Sequence, residues 1–256
     1  MSLLAADSLL SPADPPPVEV VNADSTTPLL LLCEHAGQAI PQALGTLGID
    51  ADTLDSHRGW DIGAEALARQ IATALNAPLV IQRYSRLVID CNRPPGSLQS
   101  VPLVSDHREI PANAAASVEE KDARTREIFA PMDAALTRLF AAHPRRAAFS
   151  IHSFTPRMDG VDRPWHAGFL TRRATATGEA LMRAVAAERP GLTLALNQPY
   201  QINDGTDWFI PRHAEARELP HSLIEVRNDQ IDHPEGVRLW SGLLSRAIGG
   251  IMESLT

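Results

Sequence analysis

The sequence has only two cysteines, Cys33 and Cys91, each inside or beside an apolar run. Two such residues make neither a disulfide framework nor a zinc-finger spacing, and buried thiols suit a reducing compartment. Positive charge is also short: 23 Lys and Arg stand against 31 Asp and Glu, a net charge of −8. A nucleic-acid partner, which needs clustered cations to neutralise phosphates, is therefore not expected. No apolar run approaches the ~20 residues of a membrane helix, so no membrane partner is expected either. The first residues lack the basic stretch of a secretory signal, which makes the cytoplasm the expected compartment. No Gly-rich phosphate loop follows the first strand, and Ser153 has no Gly-x-Ser-x-Gly elbow, which argues against a nucleotide-binding domain and a serine hydrolase.

What is present is enough apolar sequence for a large core, 44% of 256 residues, read as one α/β domain over 28–256. Residues 1–27 hold Pro12 and the run Pro15 to Pro17. Their apolar residues are too scattered for a regular element, and they are read as an arm that is draped on the domain or partly disordered. The central stretch is PLLLLCEHAGQAIP, residues 28–41. Leu29 to Leu32 read as a strand buried on both faces, and Glu34 and His35 fall at its carboxyl end, where α/β sheets form their ligand crevices. Residues 78–83 and 86–93 read as two further strands joined by a tight link. A helix over 117–142 should kink at Pro131. Residues 145–156 form a strand leading to His152, and 165–170, 192–197 and 221–229 are further strands. The loop NQPYQINDGTDWFIP (197–211) is polar and aromatic enough to lie over a pocket. A closing helix from Pro234 to Leu255 should bury Leu239, Leu243, Leu244, Ile248, Ile251 and Leu255. Strands alternating with helices imply a mostly parallel sheet covered on both faces.

Several of these strands end in residues that bind metals or anions: Glu34 and His35, Asn92 and Arg93, His152, Glu225 and Arg227. Two histidines and a carboxylate, with a fourth position open to water, make a catalytic zinc sphere. His35 and His152 are the histidines. Asp61 is the preferred carboxylate, although it falls where a helix N-cap is expected. Glu34 is the competing ligand, and His57, four residues before Asp61, is a second alternate. Glu225 is left free to act as general base toward the activated water. Arg83, at the end of its strand, is a further candidate for an anionic substrate.

Six blocks in order carry a resemblance: EHAGQAIP (34–41), HRGWDIGA (57–64), YSRLVIDCNRP (84–94), SIHSFTP (150–156), DGTDWFIP (204–211) and LIEVRND (223–229). Together they resemble the N-formylglutamate amidohydrolases and, more distantly, the zinc carboxypeptidase and aspartoacylase group. The resemblance implies a three-layer α/β/α sandwich with a mostly parallel, mixed central sheet of the phosphorylase/hydrolase-like kind. It implies one divalent metal ion, zinc, and cleavage of the formyl amide of N-formyl-L-glutamate, or of a similar small anionic N-acyl amino acid. Carried over by position, His35 and His152 match the metal histidines, with Asp61 as third ligand. Asn92 and Arg93 match the pair that grips substrate carboxylate, Arg86 or Arg227 assists, Arg227 or the metal steadies the oxyanion, and Glu225 is the catalytic glutamate. The carboxypeptidase pattern has a glutamate three residues after its first histidine, where this chain has Gln38. The rival readings are a zinc deacylase or carboxypeptidase-like peptidase of other specificity, and a small-molecule binding protein with a degenerate site. Oligomeric state is left open.

Overall fold

The computed structural model describes residues 8–255. Its centre is a seven-stranded mixed sheet built from β1 (Val18–Val21), β2 (Leu29–Cys33), β3 (Leu79–Gln82), β4 (Ala147–Phe154), β5 (Ala167–Leu170), β6 (Leu194–Leu196) and β7 (His221–Arg227). The strand order is β1-β3-β2-β4-β7-β5-β6. Parallel pairing joins β3, β2, β4 and β7, and also β5 with β6, while β1 and β5 meet the parallel core antiparallel. The expected three-layer, mostly parallel arrangement is therefore the observed one.

One face carries α1 (Ala64–Leu75), α4 (Thr175–Glu188) and α5 (Pro234–Ser254); the other carries α2 (Val118–Arg124) and α3 (Ala130–Ala142). Leu29 and Leu31 point to the first layer and Leu30 and Leu32 to the second, which is why an uninterrupted leucine run suits β2. In α5 the buried stripe runs through Val237, Trp240, Leu244, Ile248 and Ile251, close to helical period. Leu239, expected in that stripe, is exposed. Between α2 and α3 the helix widens into a π turn, Thr125–Phe129, in which the Ala130 N–H bonds back to the Thr125 carbonyl. Pro131 sits at the start of α3, so the break falls in the turn before the residue that lacks an N–H.

Two further expectations fail. Within the stretch read as an arm, Val18–Val21 is a strand, with Glu19 opposite Ile81 on the β3 edge; residues 1–7 lie outside the described residues. Residues 86–93 form a buried series of turns instead of a strand. Leu87, Val88 and Ile89 are buried there; Ser85 accepts their N–H groups, and distant side chains reach two of their carbonyls in place of a ladder partner. The Arg124 guanidinium donates to the Val88 carbonyl at 2.8 Å and the Asn113 amide to the Leu87 carbonyl at 2.8 Å. A buried carbonyl needs a partner, and a side chain serves as well as a strand.

Candidate metal centre and active site

Three segments converge at the carboxyl end of the parallel strands. His35 follows β2 directly, and its carbonyl accepts the Asp61 N–H at 2.9 Å, which ties the loop before α1 to the strand end. Gly63 makes the turn into α1 with φ +80°, and a Cβ there would lie 2.2 Å from the Ile231 carbonyl oxygen. Glycine is thus needed at that turn. Asp61 does not cap α1; its carboxylate points the other way. Leu32 of β2 is in register with Ser150 of β4, so His152, two residues further, stands beside Glu34 and His35.

The result is a buried cluster in which ligand atoms of His35, Asp61 and His152 lie within 4.8 Å of one another. Asp61 Oδ2 is 2.8 Å from His152 Nδ1 and 3.5 Å from His35 Nδ1. Each histidine also has an outer carboxylate. His35 Nε2 is 2.7 Å from Asp90 Oδ1. His152 Nε2 is 2.8 Å from Ser150 Oγ, which itself donates to Glu34 Oε2, and 3.2 Å from Glu34 Oε2. Outer carboxylates of this kind fix the tautomer and aim of metal-binding imidazoles. His35 Nδ1 is buried without a hydrogen-bond partner. An orphaned imidazole nitrogen facing a second histidine and a carboxylate fits one divalent ion, so His35, Asp61 and His152 form a candidate metal triad.

Charge within the cluster is set by proximity. Burial opposes ionisation of Asp61, yet the His35 and His152 imidazoles beside it hold its carboxyl well below the usual range. Burial likewise opposes the charge of Asp90, and His35 and Arg86 hold that carboxyl far down. His152 goes the other way: burial disfavours its charge, but Glu34 and Asp61 raise its pKa well above the usual value. Such a concentration of perturbed groups in one cleft marks a functional site.

Glu225 is in register with His152 across the β4–β7 ladder. It is buried, its Oε2 has no hydrogen-bond partner, and burial pushes its pKa up to about 7. A carboxylate so placed can exchange a proton near neutral pH. Above these groups opens a cleft of about 750 Å³ lined by His35, Asp61, His152, Glu225, Arg86 and Arg93, among others.

The other expected residues divide. Glu34 is part of the outer shell and does not join the ligand cluster. His57 lines the cleft but lies 3.2 Å from Asp106 Oδ2, apart from the triad. Gln38 turns to the Leu54 carbonyl and Asp55. Arg86 bridges Asp61 and Asp90, at 3.1 Å to each. Arg93 lines the cleft and donates one N–H to the Thr206 carbonyl. Asn92 holds the overlying loop: its amide oxygen accepts the Trp208 N–H at 3.1 Å and its nitrogen donates to Asp207 at 3.3 Å. Asn92 also lines the cleft. Arg83 is outside the cleft, 2.8 Å from Glu65, and Arg227 is taken up by Asp229 at 2.8 Å and the Arg163 carbonyl. Each is engaged by an opposite charge close by in sequence or on the adjacent surface, and neither lines the cleft.

Sequence reasoning missed Asp90 and Ser150 as site residues. Asp90 stands two residues before Asn92, and its carboxylate accepts that residue's N–H at 3.0 Å. The polar loop 197–211 does cover the cleft, contributing Tyr200, Gln201, Thr206 and Asp207 to its lining.

No curated protein matches the chain. Among solved structures, the gene product Atu2144 of Agrobacterium tumefaciens is similar at 37% identity and a TM-score of 0.90, over 96% of this chain and 99% of that one. The N-formylglutamate amidohydrolase of Ralstonia eutropha JMP134 shares the fold at a TM-score of 0.67 and 20% identity, over 94% of this chain and 98% of that one. The family model described as FGase, N-formylglutamate amidohydrolase, matches residues 27–231, a span that contains the whole triad, its outer carboxylates and Glu225. With most of its length and all of its site inside that match, the chain belongs to the N-formylglutamate amidohydrolase family.

Proposed function

We propose that this amidohydrolase is zinc-dependent and cleaves the formyl amide of N-formyl-L-glutamate, or of a similarly small anionic N-acyl amino acid, in the cytoplasm. The observation that carries this reading is the gathering of His35, Asp61 and His152 within 4.8 Å of one another, with the unpaired oxygen of Glu225 at the same cleft floor. The chemistry supplied by a bound zinc ion at those three residues is Lewis-acid polarisation of the amide carbonyl and acidification of water. Glu225 takes the proton of the attacking water and returns it to the departing amine nitrogen. Asp90 and the Ser150–Glu34 pair hold the two imidazoles in position. Arg93 has guanidinium N–H groups to spare and receives a substrate carboxylate, for which its planar fork is suited. Arg86, tied to two aspartates, orients Asp61 more than it binds substrate.

Metal analysis of the purified protein, combined with formate release from N-formyl-L-glutamate before and after chelation, tests the reading. About one zinc per chain and formate release that chelation abolishes and zinc restores are expected. Bound zinc with turnover of N-acetylaspartate or short peptides in place of N-formyl-L-glutamate would discard the substrate. Failure to bind any divalent metal would sink the mechanism.

A further inference from the structure

Most of the exposed apolar bulk among the described residues gathers on this same cleft. Leu98, Leu103, Val104 and Tyr200 are 96%, 50%, 55% and 42% exposed, and all four line it; Val118, Val161 and Leu239 are the exposed large apolar residues elsewhere. Leu98, Leu103 and Val104 belong to the segment that follows Arg93, and this segment is braced. The Asp90 N–H donates to the Ser100 carbonyl at 2.7 Å, the Asn113 amide to the Pro102 carbonyl at 2.7 Å, and the Ile110 N–H to the Leu103 carbonyl at 2.9 Å. The leucines are therefore presented to water by a hydrogen-bonded scaffold, and apolar surface held in that way at a cleft rim marks a binding surface.

The size of the cleft points the same way. About 750 Å³ falls within the roughly 300–1,000 Å³ of pockets that enclose drug-sized ligands, well beyond what a formyl amino acid of about a dozen non-hydrogen atoms fills. The two sides of a bound amide must face different surroundings. The amino-acid side carries the carboxylate that Arg93 receives, and it cannot shed its water against leucines without loss. The apolar rim is left for the acyl side.

The geometry points to an acyl-chain subsite: the substrates this cleft suits best are N-acyl amino acids, acidic on one side and carrying an apolar acyl chain of several carbons on the other. This deepens the hydrolase reading above and rests on it. Water adds its oxygen to the acyl carbon, the C–N bond breaks, one water proton goes to the amine nitrogen by way of Glu225, the second follows as the new carboxylic acid ionises, and the products are a short fatty carboxylate and the amino acid with its ammonium group.

The test is kcat/KM for glutamate release from N-formyl-, N-acetyl-, N-butyryl- and N-hexanoyl-L-glutamate by the zinc-loaded enzyme. Each methylene half removed from water adds about twofold, so a rise of about 15-fold over the four methylenes from acetyl to hexanoyl is expected. In the double variant Leu98→Ser/Leu103→Ser, with folding checked by thermal unfolding, the slope with chain length should flatten. A flat or falling series in an enzyme that does cleave N-formyl-L-glutamate overturns the subsite and leaves the hydrolase reading intact. Should no member of the series be cleaved, the hydrolase reading fails, and calorimetry on Glu225→Gln still decides the subsite. There N-hexanoyl-L-glutamate should bind at least about fivefold more tightly than N-acetyl-L-glutamate; equal affinity overturns it.

Discussion

His35 reaches Asp90 through Nε2 at 2.7 Å, which leaves its Nδ1 aimed at Asp61. The two residues are 55 positions apart in sequence, and the contact turns an ordinary imidazole into one with a fixed tautomer. Asp90→Asn keeps the shape of the side chain but not its negative charge. Zinc affinity, measured by competition with a chromogenic chelator, should fall about 10- to 100-fold, with the fold kept. An unchanged affinity would mean that Asp90 serves Arg86 and the Asn92 backbone alone.

Glu225→Gln removes the proton carrier while leaving the volume of the side chain. Loss of a general base costs about 10²- to 10⁴-fold in kcat, so formate release should fall by that factor while zinc content stays near that of the parent. The parent's rate should climb with pH as the Glu225 carboxyl, about 7 without metal, gives up its proton. A divalent cation beside it favours the carboxylate and moves the rising limb to lower pH. Retention of most of the parent's kcat would transfer the base role elsewhere.

Much of this site could be read from the chain because strands deliver their terminal residues to one edge. The leucine run of β2 locates His35, and Ala147–Ile151 locates His152, with no need to know the partners. Residues 86–93 were not legible: Leu87, Val88 and Ile89 carry the composition of a strand, while the groups that satisfy them, Asn113 and Arg124, come from later segments. The edge strand Val18–Val21 was hidden for a related reason, since four residues among prolines show no period until β3 is there to pair with them. Direction was the other loss. Charge at a strand end says that a side chain sits near the crevice, but nearby acids decided that Arg83 and Arg227 turn away from it.

The arginines give a contrast that tests this. Arg93 lines the cleft and Arg227 does not. Arg93→Ala should lower kcat/KM on an N-acyl glutamate about 10- to 100-fold, chiefly through KM, as expected when a charged hydrogen-bonding partner of a carboxylate is lost. Arg227→Ala and Arg83→Ala should stay within about twofold of the parent in kcat/KM, because neither side chain lines the cleft. A large kinetic loss in Arg227→Ala would restore it to the site.

Glu225 also imposes a dependence of stability on pH in the metal-free protein, and its sign can be worked out. The ordinary carboxyl value is 4.5 and the folded value about 7, so between those limits the folded state holds a proton that the unfolded state has released. Stability from this group is fully present below 4.5 and is lost as the pH rises through 7. The shift corresponds to about 3 kcal/mol. Glutamine cannot ionise, so urea midpoints of Glu225→Gln and the parent should coincide near pH 4 and separate by pH 8, the variant being the more stable. Asp61, Asp90 and Glu34, whose carboxyls are held low, work in the opposite sense in both proteins. Saturating zinc should close or reverse the gap, because a cation beside Glu225 stabilises the charge that burial penalises. A gap that persists unchanged in zinc would place the metal too far from Glu225 for the two to share one water.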